Sequence, residues 1–216
     1  MTVLRWVEQY SARLESLGEE APPAPRWTQD WFPRLDAAAA YAIVRATRPA
    51  RIVEVGCGHS TRFLARAVAD GGLDTKITAI DPAPRAVLAG LKIHWIEAPV
   101  QSVPLRLFES LQRDDILFID SSHQLKPGSD VEFLIGRVLP RLASGVRVHF
   151  HDIFLPDDYP AQWAWRRYNE QEAVAALLAD GYDEEFSSHR APREGVVARL
   201  PLVPGAVESS LWLRKR

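Results

Sequence analysis

The chain has 216 residues, 47% of them hydrophobic and 25% charged, and a formal net charge of −2. That is enough for one domain with a full core. The charge balance argues against a general affinity for nucleic acid or for an anionic membrane surface. The one cysteine, Cys57, has no partner for an internal disulfide, so a reducing, cytoplasmic setting is expected. No apolar run approaches the ~20 residues of a membrane span. The first 17 residues carry acids among their apolar positions, unlike a signal peptide.

Residues 3–17 read as a helix with Val3, Trp6, Val7, Tyr10, Leu14 and Leu17 near one face, ended by Gly18. Pro22, Pro23 and Pro25 impose an extended linker before the aromatic cluster Trp27, Trp31 and Phe32. Asp36 is expected to cap a second helix, 37–47. Strands and helices then alternate. The strands fall at 51–55, 76–80, about 92–96, 116–119, 146–150, 182–187 and 209–214. The helices fall at 60–70, 104–112, 128–142 and 162–180. Apolar strands separated by helices predict an α/β fold with a doubly wound, mostly parallel sheet. The expected division is a helical and aromatic extension, 1–35, and one α/β domain, 36–216.

The run Ile52-Val53-Glu54-Val55-Gly56-Cys57-Gly58-His59-Ser60-Thr61 is the densest signal. A strand ends in Gly-x-Gly and a helix begins at once. Such a turn lets backbone touch a ligand, and the helix N-terminus offers free N–H groups. A dinucleotide fingerprint needs a third glycine where Thr61 stands. Glu54, Gly56, Cys57, Gly58 and Ser60 are candidates to hold a nucleotide-type cofactor, and Thr61 weakens the dinucleotide reading. Asp81, ending the second strand 25 positions after Gly56, suits two ribose hydroxyls.

Ligands of open α/β sheets bind at the carboxyl edge, where Asp120 and His123 follow strand four and His151-Asp152 follows strand five. Convergent carboxylates there suit a divalent metal, and an imidazole suits a general base. His149, one register step inside the strand, is expected to be structural. The segment 157–170, rich in Trp, Tyr and Arg, is a candidate wall of the substrate pocket.

In order, EVGCGHS, AIDP, LFIDSSH and HFHDIFLPDDYP resemble methyltransferase family 24, a class I family, over roughly residues 35–216. The resemblance implies a seven-stranded sheet with the last strand antiparallel and S-adenosylmethionine as methyl donor. The Asp120-x-x-His123 spacing is also similar to that of metal-dependent macrolide-sugar O-methyltransferases. That likeness implies Asp120 and Asp152 as metal ligands, for Mg2+ or a similar ion, and His123 as base. His151 stands where those enzymes carry an acid, leaving it a ligand, a base or neither. The expected activity is O-methylation of a small hydroxylated metabolite or sugar, without nucleic-acid or membrane partners. Exposed Trp-rich elements leave room for a homodimer. The rivals are an NAD-linked or nucleotide-sugar enzyme and a non-catalytic cofactor-binding module.

Overall fold

The computed structural model describes residues 2–216. Seven strands form one sheet: β1 (Arg51–Val55), β2 (Lys76–Ile80), β3 (His94–Ile96), β4 (Ile116–Ile119), β5 (Arg147–Phe150), β6 (Tyr182–Ser187) and β7 (Leu211–Lys215). Their order is β3-β2-β1-β4-β5-β7-β6. Only β7 runs antiparallel to its neighbours, so the expected seven-stranded, doubly wound sheet is the one observed. Strands β1, β4 and β5 are buried almost throughout, as central strands of a parallel sheet covered on both faces are, and β4 is a continuous apolar run.

The parallel register decides where the chemistry lies. Val55 pairs with both Ile80 and Ile119, and Ile119 pairs with Phe150. The residues next in the chain, Gly56, Asp81, Asp120 and His151, therefore leave the sheet at one level along its carboxyl edge.

One face of the sheet is covered by α3 (Arg34–Thr47) and α4 (His59–Asp70), with α1 (Thr2–Gln9) and α2 (Ser11–Glu15) packed outside them. The helix expected over 3–17 is thus two helices, which meet at Tyr10. The N-terminal extension is continuous with the core: the Trp27 ring lies 4.9 Å from Phe63, and Phe32 lies 5.6 Å from Phe118. Trp27 and Phe32 are both buried, each contributing about 2–3 kcal/mol of burial.

The other face carries α5 (Arg106–Glu109), α6 (Asp130–Phe133) and α7 (Glu170–Ala179). The single helix expected over 128–142 begins as α6, widens to a π-helical turn at Leu134–Val138 and tightens to 3-10 geometry at Leu139–Arg141. The helix expected over 162–180 is interrupted. A 3-10 segment, Ala161–Arg166, ends where Arg167 takes a left-handed φ of 56°, and α7 starts three residues later. A four-residue helix, α8 (Val196–Arg199), was not anticipated.

Asp36 is not the cap of α3. The helix starts after Pro33, and Asp36 lies inside its first turn, fully buried.

Candidate active site

Gly56 turns the chain out of β1 with φ of +82°. A Cβ at Gly56 would stand 1.8 Å from the Asp120 carbonyl oxygen, so the two strand ends approach as closely as backbone allows. Gly58 is different: its φ is extended and nothing lies within 4 Å of a Cβ built there. Thr61 fills the position of the missing third glycine, and its Oγ1 accepts the Gly58 N–H at 2.9 Å. A hydroxyl thus closes the turn that a dinucleotide site would leave open for pyrophosphate.

Along this edge lies a cavity of about 480 Å3, within the range of small-molecule and cofactor sites. Gly56, Cys57 and Asp81 line it. The Asp81 carboxylate accepts the Cys57 N–H and the Ala83 N–H, each at 2.7 Å, which pins the two loops together. Each oxygen keeps a further lone pair for a ligand hydroxyl. Ile80, Pro82, Pro99 and Val100 supply the apolar wall that a purine needs.

Glu54, Gly58 and Ser60 do not line the cavity. Glu54 is fully buried and accepts the Ser60 hydroxyl at 2.6 Å, tying β1 to the start of α4. Burial pushes the Glu54 carboxyl up to about 8. Its second oxygen has no hydrogen-bond partner. Burial likewise pushes the Cys57 thiol up, so it is not a reactive thiolate.

A second cavity, of about 130 Å3, adjoins the first; Arg85, Asp120 and Ser121 line both. Its floor brings together Asp120, His123, His151 and Asp152. His123 Nε2 lies 3.3 Å from Asp120 Oδ1 and 3.6 Å from Asp152 Oδ2. His151 Nδ1 lies 3.5 Å from each of the same two carboxylates. Behind this square, Glu170 holds His123 Nδ1 at 2.9 Å, and Asp36 holds His151 Nε2 at 3.3 Å. Asp36 also accepts the Ser209 and Ser210 N–H groups, and Asp152 accepts the Ser209 hydroxyl. His123 (φ 58°) and Asp152 (φ 55°) both take left-handed backbone, which non-glycine residues adopt only where the surroundings enforce it.

Burial alone would lower the two imidazoles. For His123 it is outweighed by Asp120, Glu170 and Asp152, and for His151 by Asp152, Asp120 and Asp36; both are raised well above the ordinary histidine value. Asp120 is half-buried, and desolvation would raise it, but His151 and His123 hold it well below the carboxylate range. Each imidazole of the floor thus faces carboxylates that favour its charged form. His149 is structural as expected: its ring stacks on Phe118 at 3.7 Å, and its Nε2 meets the Ser210 hydroxyl.

The profile of methyltransferase family 24, a methyltransferase domain, matches residues 53–153. That span runs from β1 to just beyond Asp152. Residues 53–153 are a methyltransferase domain of this family.

A relative of unassigned function from Archaeoglobus fulgidus is 37% identical over 92 residues, which are 39% of this chain and 41% of that protein. This chain thus spans less than half the length of that relative. Among solved structures, the SAH-bound methyltransferase PaMTH1 from Podospora anserina superposes with a TM-score of 0.55. It is 18% identical, over 98% of this chain and 96% of that one. The O-methyltransferase from Bacillus cereus, in complex with SAH, gives 0.52 at 15% identity, over 100% of this chain and 91% of that one. These likenesses establish the class I fold of the methyltransferase domain, N-terminal helices included.

Sequence reasoning missed Asp36 and Glu170 as partners of the histidines. Asp36 sits in an otherwise apolar stretch, Leu35 to Val44, and an acid at such a position is the signal that marks it. Glu170 is the first residue of α7, after the aromatic loop, and nothing local distinguishes it from an exposed helix acid.

Proposed function

We propose that the protein is an S-adenosylmethionine-dependent O-methyltransferase acting on a small hydroxylated molecule. The observation that carries the reading is the pair of adjoining cavities. One is cofactor-sized and built on Gly56, Cys57 and Asp81; the other is small and floored by His123 and Asp120, with Asp120 common to both. A methyl donor in the first and a hydroxyl in the second approach each other across Asp120. Such positioning supplies much of the rate of a two-substrate transfer. The third-glycine position, closed by Thr61, disfavours the dinucleotide rival.

S-adenosylmethionine, held by Gly56, Cys57 and Asp81, would supply the methyl group from its sulfonium and become a neutral thioether. The hydroxyl proton must go to the protein. His123 Nε2, aimed at the floor with Nδ1 fixed by Glu170, is the acceptor in this reading, and Asp120 holds the hydroxyl beside it. His151, tied between Asp36 and the two floor aspartates, keeps Asp120 and Asp152 in place.

The resemblance also implies a divalent metal on Asp120 and Asp152. As the side chains stand, both carboxylates face imidazole nitrogens. No group of three or more His, Cys, Asp and Glu among the described residues is spaced to hold an ion. In this reading the proton transfer is assigned to protein groups.

The test is incubation with S-adenosylmethionine and a panel of small alcohols, phenols and sugars. The expected product is an O-methyl ether formed together with S-adenosylhomocysteine. Turnover confined to amine or thiol acceptors would reject the O-specific reading.

A further inference from the structure

The rim of the acceptor cavity carries chemistry that methyl transfer itself does not use. Two arginines face it, Arg85 from the loop after β2 and Arg166 from the 3-10 segment. Each guanidinium lies on a tryptophan: Arg85 is 4.4 Å from the ring centroid of Trp31, and Arg166 is 4.1 Å from that of Trp163. Stacking fixes the plane of a guanidinium and leaves its N–H edge free. Other arginines of this chain spend that edge on carboxylates: Arg13 on Asp70, Arg34 on Glu208, Arg147 on Asp114 and Glu185.

Here the edges are left over. Arg166 Nε is buried without a hydrogen-bond partner. Its nearest carboxylate, Asp152, is 3.8 Å away and already engaged by the imidazoles, and its Nη1 reaches only the Tyr168 hydroxyl at 3.4 Å. Among the described residues Arg85 has no ion pair. Three acids, Asp30, Asp120 and Asp152, also line the cavity, and Asp120 and Asp152 face the imidazoles of His123 and His151. The cavity volume, about 130 Å3, is close to that of a cavity that admits one benzene ring.

We infer that the acceptor is an acid: a hydroxylated molecule of about one ring, carrying a carboxylate or phosphate that Arg166 and Arg85 grip while its hydroxyl reaches the floor. This rests on the methyltransferase reading for the hydroxyl end only. A paired guanidinium holds a carboxylate bidentately and rejects the neutral isostere. Arg166 is thus a specificity-determining residue.

The test titrates the protein, saturated with S-adenosylhomocysteine, with dihydroxybenzoate and with its neutral amide. The acid should bind about tenfold tighter or better, the scale of one charge-assisted hydrogen bond. Arg166→Gln should abolish that preference while the affinity for S-adenosylhomocysteine stays at the wild-type value, and Arg166→Lys should restore part of it. Equal affinity for acid and amide in the wild type, or a preference that survives in Arg166→Gln, overturns the inference. If neither aromatic binds, inorganic phosphate should still give a saturable signal that Arg166→Gln removes, and its absence is equally contrary. Failure of S-adenosylhomocysteine to bind strikes the methyltransferase reading instead, and leaves the acid–amide comparison readable on the free protein.

Discussion

Replacing Gly56 by alanine is expected to abolish cofactor binding and to lower the melting temperature by roughly 6–12 °C. The two penalties are separate. A left-handed non-glycine residue costs about 1–3 kcal/mol, and Gly56 has φ of +82°. A methyl group 1.8 Å from the Asp120 carbonyl oxygen must also push β1 and β4 apart at their ends, which adds an overpacking cost of about 1–3 kcal/mol. A total near 3 kcal/mol corresponds to that melting shift in a chain of this size. The displaced residue is Asp120, so the acceptor floor moves together with the cofactor loop. Gly58→Ala is the control: with extended φ and no atom within 4 Å of its Cβ, it should melt close to wild type. A Gly56→Ala protein with wild-type stability and affinity would show that the close approach of the two strand ends is unimportant.

His123→Ala should lower turnover about a hundredfold or more, the usual contribution of a positioned general base, and leave S-adenosylhomocysteine affinity nearly unchanged. His123 lines the acceptor cavity but not the cofactor cavity, which is the reason to expect that split. Removing the ring also leaves the buried Glu170 without its partner, a loss large enough to threaten folding. His123→Asn, which can still donate to Glu170, is the safer companion, and cofactor binding reports whether each variant is folded. The wild-type pH profile should carry a matching signature. Only neutral imidazole accepts a proton, and the Asp120, Glu170 and Asp152 carboxylates raise the His123 value above the ordinary 6.5. Turnover should therefore climb with pH through a limb lying above 6.5, and the limb should vanish in both variants. A variant with wild-type turnover, or a limb below 6.5, would remove His123 from the proton path.

The sheet was legible because its central strands are short apolar runs and its strands are bounded by unambiguous turns. β2 (Lys76–Ile80), β4 (Ile116–Ile119) and β6 (Tyr182–Ser187) fall where alternation and composition put them. The helices were less legible, since a periodic pattern does not reveal a break. The change to π-helical winding at Leu134–Val138 and the left-handed Arg167 preserve the apolar spacing on either side. The polar strand ends were readable one at a time, and parallel register then forces them to one level. The residues that orient the histidines were not readable. Asp36 lies 115 positions from His151, and Glu170 lies 47 from His123. Long-range partners of that kind leave only an indirect mark in sequence, an acid where packing calls for an apolar residue. Glu54 and Ser60 show the opposite case. A motif position read as ligand-facing is filled by a buried hydrogen bond that braces the loop from behind.

The central claim is that the cavity built on Gly56, Cys57 and Asp81 holds S-adenosylmethionine. Calorimetric titration with S-adenosylhomocysteine, with NAD+ as the comparison, tests it most directly. One-site binding of S-adenosylhomocysteine in the micromolar range, with no heat from NAD+, is the predicted result. Binding of NAD+ in preference to S-adenosylhomocysteine, or no binding of either, would contradict it.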